Sequence, residues 1–332
     1  MARTGFATGD AETKKLYEEK VLREQEKESF FFGGGFVGEG ADNIIQLKND
    51  LEKSRGDNSK FYLIKRLTGE ARTDNQALEG YEQKLQDYND SITLHLYRTA
   101  VRDNGELTRQ RSVFEIDGLS QDALAVQGRE QQDQLIFDAI CTGHTKIFYG
   151  GDATTTATIE ATDYITPTLL SKAKTWSKTG GNRAQNPIRP VKINGKSWYV
   201  VLVHPDVLYD MKQNAVWAQA AREALPRGYD NPLFTNADIV WDGCIVYAHE
   251  NVPVFTDWGA GGNIAGCKCV LLGAQAGGWA YGKRRAYYTR ATFDYENEHG
   301  YAWNLIGGTK KFQFNSLDFG AVGIYVSRTQ IS

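Results

Sequence analysis

Residues 107–141 read LTRQRSVFEIDGLSQDALAVQGREQQDQLIFDAIC, the longest helical pattern in the chain. Val113, Phe114, Leu124, Val126, Leu135, Ile136, Phe137 and Ile140 are set among Arg, Gln, Glu and Asp, the mixture of a helix that buries one side. Gly118 and Gly128 are expected to soften or interrupt it, and Gly143 to end it. At 1.5 Å per residue a continuous helix would run roughly 50 Å, more than the diameter of a small domain. Such a helix is a spine, and the rest of the chain is read by what it hangs on either side.

Upstream the pattern is β. Lys60–Ile64 (KFYLI) reads as a strand, Leu67–Glu70 as a turn and Thr73–Gln76 as an exposed polar tip, while Ser91–Val101 alternates polar and apolar as a half-buried strand does. The projection between the two strands is rich in Gly, Asp and Asn and has little of its own to bury, so it must lean on another surface. Ser54–Ser59 is a loop and 43–51 a short mixed segment. Residues 10–29 are mostly charged, and Leu16, Tyr17, Val21 and Leu22 give only a thin apolar stripe: a solvated terminus, or an arm that orders on a neighbour. Phe30, Phe31, Phe32 and Phe36 flank three glycines, a backbone too permissive for a helix, so these rings need cover from their own domain or another subunit.

Downstream, Gly150–Thr158 is a loop and Thr166–Trp176 a second helix started by Pro167. After the polar link Ser177–Pro190 the pattern turns α/β: a buried strand at Trp198–Val203, a helix from about Val207 to Ala224, and strands at Trp241–Ala248 and Cys267–Leu272. Tyr301–Ile306, Lys310–Phe314 and Ala321–Val326 are three further strand candidates.

Composition narrows the function. The 332 residues carry 38 Lys plus Arg against 41 Asp plus Glu, a formal charge of −3, with 41% hydrophobic and 12% aromatic residues. At roughly 150 residues per domain this suggests about two units with ample core, and excludes wholesale disorder. The near-neutral balance argues against a protein that holds nucleic acid by broad phosphate neutralisation. Four cysteines make no disulfide framework, Met1–Gly5 is followed by no apolar signal region, and no apolar stretch approaches the ~20 residues of a membrane helix, so a soluble cytoplasmic protein is expected.

Motifs for chemistry are weak. His204-Pro205-Asp206 follows an apolar strand and reads as a helix start, with Asp206 or the preceding turn as the cap. Cys267-Lys268-Cys269 lacks a metal-knuckle spacing and reads as two core residues on one strand face. Gly259–Gly266 precedes a strand, where its N–H groups would not converge on a phosphate, and is read as a flexible loop. The five histidines are scattered, and acid pairs such as Glu296 and Glu298 are ordinary among 41 carboxylates. No catalytic residue, cofactor or metal site is assigned.

The order of segments carries the resemblance. Lys60–Leu63, Leu67–Glu70 and Leu78–Leu85, then Val203–Asp206 with Tyr209, Asp210 and Trp217, then Phe293–Gly300, Gly307–Lys311 and Asp318–Gly320 resemble the major capsid proteins of N4-like tailed bacteriophages, with the Hong Kong 97 type α+β fold. The resemblance spans about residues 55–326; Tyr81 stands where that group has Asn. It implies an N-terminal arm at 1–54, an extended loop at 55–95, a peripheral domain at 96–184 and 291–332 with its spine helix at 107–141, and an axial domain at 185–290. It further implies pentamers and hexamers that build an icosahedral virion head in the host cytoplasm, with portal, scaffolding and decoration proteins as partners, double-stranded DNA enclosed without sequence-specific binding, and no membrane partner. Inter-subunit contacts are expected at Phe30, Phe31, Phe32, Phe36, Phe61, Arg66, Glu70, Arg72, Glu79 and Glu82. Two alternatives stand: an encapsulin-like compartment shell, and a soluble α/β enzyme using Gly259–Gly266.

Overall fold

The computed structural model describes residues 29–49, 56–64, 67, 71–74, 76–85, 87–112, 115–180, 187–193, 195–224, 239–282 and 286–331. In chain order the helices are α1 (Phe30–Gly33), α2 (Glu106–Arg111), α3 (Ile116–Cys141), α4 (Pro167–Thr179), α5 (Pro205–Gln213) and α6 (Ala215–Ala224). The strands are β1 (Val37–Gly38), β2 (Ile45–Lys48), β3 (Asn58–Ile64), β4 (Asp87–Thr93), β5 (His95–Arg102), β6 (Ile147–Tyr149), β7 (Val191–Ile193), β8 (Lys196–Val203) and β9 (Ile239–Trp241). They continue with β10 (Cys244–Ala248), β11 (Val254–Trp258), β12 (Ile264–Leu272), β13 (Gly277–Tyr281), β14 (Tyr287–Phe293), β15 (Glu298–Lys311), β16 (Gln313–Phe314), β17 (Leu317–Asp318) and β18 (Ala321–Ser327).

Two sheets organise these elements. The first runs β1-β2-β13-β15-β14, with β5 on the free side of β15. Its axis is β15, expected as two strands but continuous over 14 residues: Gly300–Gly307 pairs with β5, Glu298–Asn304 with β14 and Gly307–Lys311 with β13. The second runs β6-β18-β12-β8-β10-β9, with β11 added on β12 and β7 on β8. Tyr199–Val203 and all of β18 are buried, the unbroken apolar runs of strands covered on both faces. The sheets do not divide the chain at 184/185 and 290/291. The first takes β13 and β14 from the expected axial segment, and the second takes β6 and β18 from outside it.

The expected single spine is two helices. Its break lies between Arg111 and Ile116, with Ser112 closing α2, and α3 then runs unbroken through Gly118 and Gly128 for 26 residues, about 39 Å; Val113 and Phe114 lie outside the described residues. α3 lies across β15 and β5 and reaches β12, burying Leu124, Ile136, Phe137 and Ile140 between them. Gly128 is where this packing is tightest: a Cβ there would meet the buried Trp303 ring at 2.4 Å. Helix preference alone would disfavour glycine at this position, so the close approach explains it.

Local chemistry sets the other boundaries. Thr166 caps α4 by accepting from the Leu169 N–H, and Gly180 ends it in the left-handed conformation (φ 70°), so it runs past the expected Trp176. The helix expected from Val207 to Ala224 breaks at Asn214, whose side chain accepts from the Val216 N–H and starts a new helix. His204, not Asp206, is the α5 cap: its Nδ1 accepts from the Asp206 N–H at 3.2 Å, while the Asp206 carboxylate pairs with Arg328. The strand expected across Ser91–Val101 changes partner at Leu94, leaving the β3 ladder and joining β15. Trp241–Ala248 is a hairpin instead of one strand, turning at Asp242-Gly243.

Candidate assembly surfaces

The β3–β4 hairpin has a buried root and an uncovered end. Seven pairs, from Asn58↔Thr93 to Ile64↔Asp87, form its ladder. Phe61 and Ile92 pack with Phe312 and Ala280, and Lys310 Nζ reaches the Asp90 carboxylate, which also accepts from the Gln313 N–H. Alternate residues of the ladder and nearly all described residues beyond it are exposed: Tyr62 is 71% exposed, Ile64 67%, Leu78 64% and Tyr81 62%. Beyond the ladder, the Arg72 guanidinium stacks 3.4 Å from the Tyr81 ring centre, and the Glu82 carboxylate accepts from the Gly80 N–H. Large apolar side chains are thus exposed there and held in shape without a core beneath them. Glu79 is exposed there too; Arg66 and Glu70 lie outside the described residues.

The aromatic segment is anchored inside its own subunit. Phe30–Gly33 does form a helical turn, contrary to expectation, because Asp133 in the middle of α3 accepts from the Phe30 N–H at 2.6 Å and the Ser29 hydroxyl at 2.9 Å. Burial of Asp133 raises its carboxyl above the ordinary range, opposed by these donated hydrogen bonds. Phe31 lies 4.7 Å from Phe137, Phe30 packs on Phe36, Phe137 and His249, and Phe32 meets Trp279 edge-on. The inter-subunit contact expected of Phe31 and Phe61 is thus replaced by an intramolecular one: both are buried in their own chain, while Phe30, Phe32 and Phe36 are half-buried on the same core. The expected arm ahead of Ser29 lies outside the described residues.

A third protrusion joins β14 to β15. Asp294, Tyr295 and Glu296 all take left-handed backbone conformations, and Tyr295 is fully exposed. Beneath it Arg109 pairs with Asp103 and donates to the Asn297 carbonyl, while Arg109 and Arg290 both contact the His299 ring. Asp103, Asp117 and His299 converge as metal ligands can, yet the two guanidiniums already balance their charge, so the group is an ion-pair cluster fastening the hairpin to the start of α3.

The remaining motifs are structural. All four cysteines are buried, and burial raises the thiols of Cys141, Cys244 and Cys269, opposite to what nucleophiles need. Gly259–Gly262 turns β11 into β12, so it joins two antiparallel strands and does not lead a strand into a helix. Sequence reading missed Asp133 and Tyr295. The first looks like one more exposed acid in a charged helix, whereas the second sits in an Asp-Tyr-Glu-Asn turn that signals exposure.

A long helix laid across one sheet, a second sheet whose central strands are buried on both faces, and hairpins and an aromatic anchor reaching beyond them define a shell subunit of the Hong Kong 97 type. The chain belongs to the phage capsid protein family, whose profile matches residues 6–147 and 139–327. It is 26% identical to the major capsid protein of Pseudomonas phage KPP25, over 98% of this chain and 97% of that one. The capsid of Ralstonia phage GP4 superposes with a TM-score of 0.83 at 26% identity, covering 100% of both chains. The SrpI encapsulin of Synechococcus elongatus PCC 7942 is more distant, at a TM-score of 0.53 and 12% identity over 98% of this chain and 99% of that one, a likeness of fold alone. The function is therefore that of a phage major capsid subunit of an icosahedral shell, and the encapsulin alternative is not favoured.

Proposed function

We propose that the subunits form pentamers and hexamers through an axial unit within 185–290, that the 55–95 hairpin of each lies over an adjacent subunit, and that of the 1–54 arm the part ahead of Ser29 straps neighbouring capsomers. A peripheral unit at 96–184 and 291–332 carries the spine. The shell forms in the host cytoplasm, meets portal, scaffolding and decoration proteins, and encloses double-stranded DNA without reading its sequence. The observation that carries this is the uncovered end of the β3–β4 hairpin, where Tyr62, Ile64, Leu78, Tyr81 and Leu85 are each more than half exposed. Repeated across a shell, such weak contacts add without any one bearing the load.

Deleting residues 69–80 tests it. The expected product is a subunit with wild-type circular dichroism that gives no shells by light scattering or negative-stain microscopy. Shells at normal yield would refute the reading of this segment. Expected inter-subunit contacts at Arg66, Glu70, Arg72, Glu79 and Glu82 stand or fall with it.

A further inference from the structure

The overall charge of −3 conceals two segments of opposite sign. Residues 164–205 contain seven Lys and Arg and no Asp or Glu, whereas residues 67–90 contain six carboxylates and two cations. The described part of the basic segment forms α4, the link 187–190 and the strand pair β7–β8, and three of its cations line a cavity of about 590 Å³. Lys174 and Lys178 border the cavity from α4 and Arg189 from the link, while Ile188, Pro190 and Tyr199 supply apolar lining. Lys192 pairs across the strands with Ser197, itself part of the lining. Lys178 and Arg189 are exposed; Lys174 pairs with Asp242 at 2.6 Å and Arg189 with Asp42 at 3.6 Å.

Among the described residues the uncovered end of the β3–β4 hairpin carries Asp74, Glu79 and Glu82 against Arg72 and Lys84, beside exposed Leu78, Tyr81 and Leu85, whereas Asp87 and Asp90 lie in the ladder and Asp90 pairs with Lys310. An apolar cavity rimmed by cations and an acidic tip carrying apolar side chains are complementary in both charge and polarity. Leu63 and Ile64, the last residues of the β3 ladder, line the same cavity, whereas the described residues among 71–85 of the same chain do not. We propose that the hairpin tip of a second copy of this chain docks against the basic face formed by α4 and β7–β8, with its apolar side chains in this cavity. Each copy then offers a tip and receives one where its own tip begins. Such a head-to-tail contact closes rings when repeated by rotation.

The inference rests on the shell reading above and names the face that receives the loop. The test uses the full chain and charge exchange. K178E/R189E should lower shell yield about tenfold or more, because rim attraction becomes repulsion at every copy of the contact. E79K/E82K should do the same, and the four substitutions combined should restore assembly. All are compared with subunits whose melting is unchanged. If wild-type chain makes no shells, the shell reading itself fails. If K178E/R189E shells form at wild-type yield, or with normal yield but less packaged DNA, the docking proposal is overturned, the latter result giving the face to DNA. Failure of the combined variant to recover, with both parents folded, also overturns it.

Discussion

Alanine at Gly128 probes whether α3 is held on β15 by close approach. The added Cβ lies 2.4 Å from Trp303 Cε2, 2.7 Å from Nε1 and 2.8 Å from Cζ2. Favourable carbon contacts begin near ~3.5 Å, so about 1 Å of separation is required. Trp303 cannot supply it, being 3% exposed with its backbone paired to Thr99 on one side and Tyr288 on the other. The helix must move, loosening Leu124, Ile136 and Phe137 against the sheets. Removing a helix glycine gains about 0.5–1 kcal/mol, and overpacking costs about 1–3 kcal/mol. The balance for Gly128→Ala is a loss of up to about 2.5 kcal/mol, and about 1 kcal/mol at the middle of both ranges. Gly118→Ala is the control: its Cβ meets only the Glu115 carboxyl, at 4.0 Å, so it keeps the gain without the clash. Urea unfolding of disassembled subunits, followed by tryptophan fluorescence, measures both. Gly128→Ala as stable as wild type, with Gly118→Ala stabilised, would refute the reasoning.

Three further perturbations separate the other fastenings. Asp133→Ala strips the acceptor from Ser29 and Phe30 and should cost about 1–3 kcal/mol, with hydrogen exchange accelerating at residues 29–36 more than along β15. His144 is buried, and burial, helped by Lys311, lowers its pKa from 6.5 to about 4. The unfolded chain takes up this proton first, so stability is fully present above pH 6.5 and up to about 3 kcal/mol is lost as pH falls to 4; His144→Gln should flatten the urea midpoint across that window. Lys311→Met leaves the Asp318 carboxylate, with a side chain 1% exposed, without its cation and should cost about 3–5 kcal/mol. Adding Asp318→Leu should recover part of that loss, and a double variant no better than the single would show the pair is not coupled.

What could be read from sequence was what local pattern controls. The core strands at Trp198–Val203, Cys267–Leu272 and Ala321–Val326 were visible because they are buried on both faces, and α4 because Pro167 starts it. The corrections fall where a partner distant in sequence decides. Asp133 turns a glycine-flanked Phe run into a helix from 103 residues away, and pairing with β5, β13 and β14 makes β15 one strand across Gly307-Gly308. The hairpin end was legible as a surface from its lack of core, but the face complementary to it was hidden by the net charge, which averages an acid-free segment with an acidic one.

The fastenings of α3 differ in kind, and the difference matters in a shell. Its start is tied by Asp117 to His299 and Tyr301, its middle by Asp133 to the aromatic anchor and by the Gly128–Trp303 contact, and its end by Lys311, which donates to the Thr142 and Gly143 carbonyls at 3.0 and 2.6 Å. Apolar burial is non-directional, so it fixes the register of a helix on a sheet less sharply than paired polar groups do. Buried hydrogen-bonded groups forbid sliding, since any displacement leaves charge or N–H unpaired out of water. A shell subunit whose spine is fastened at three points by such groups keeps the register of helix on sheet, whereas the exposed end of the β3–β4 hairpin lacks that constraint.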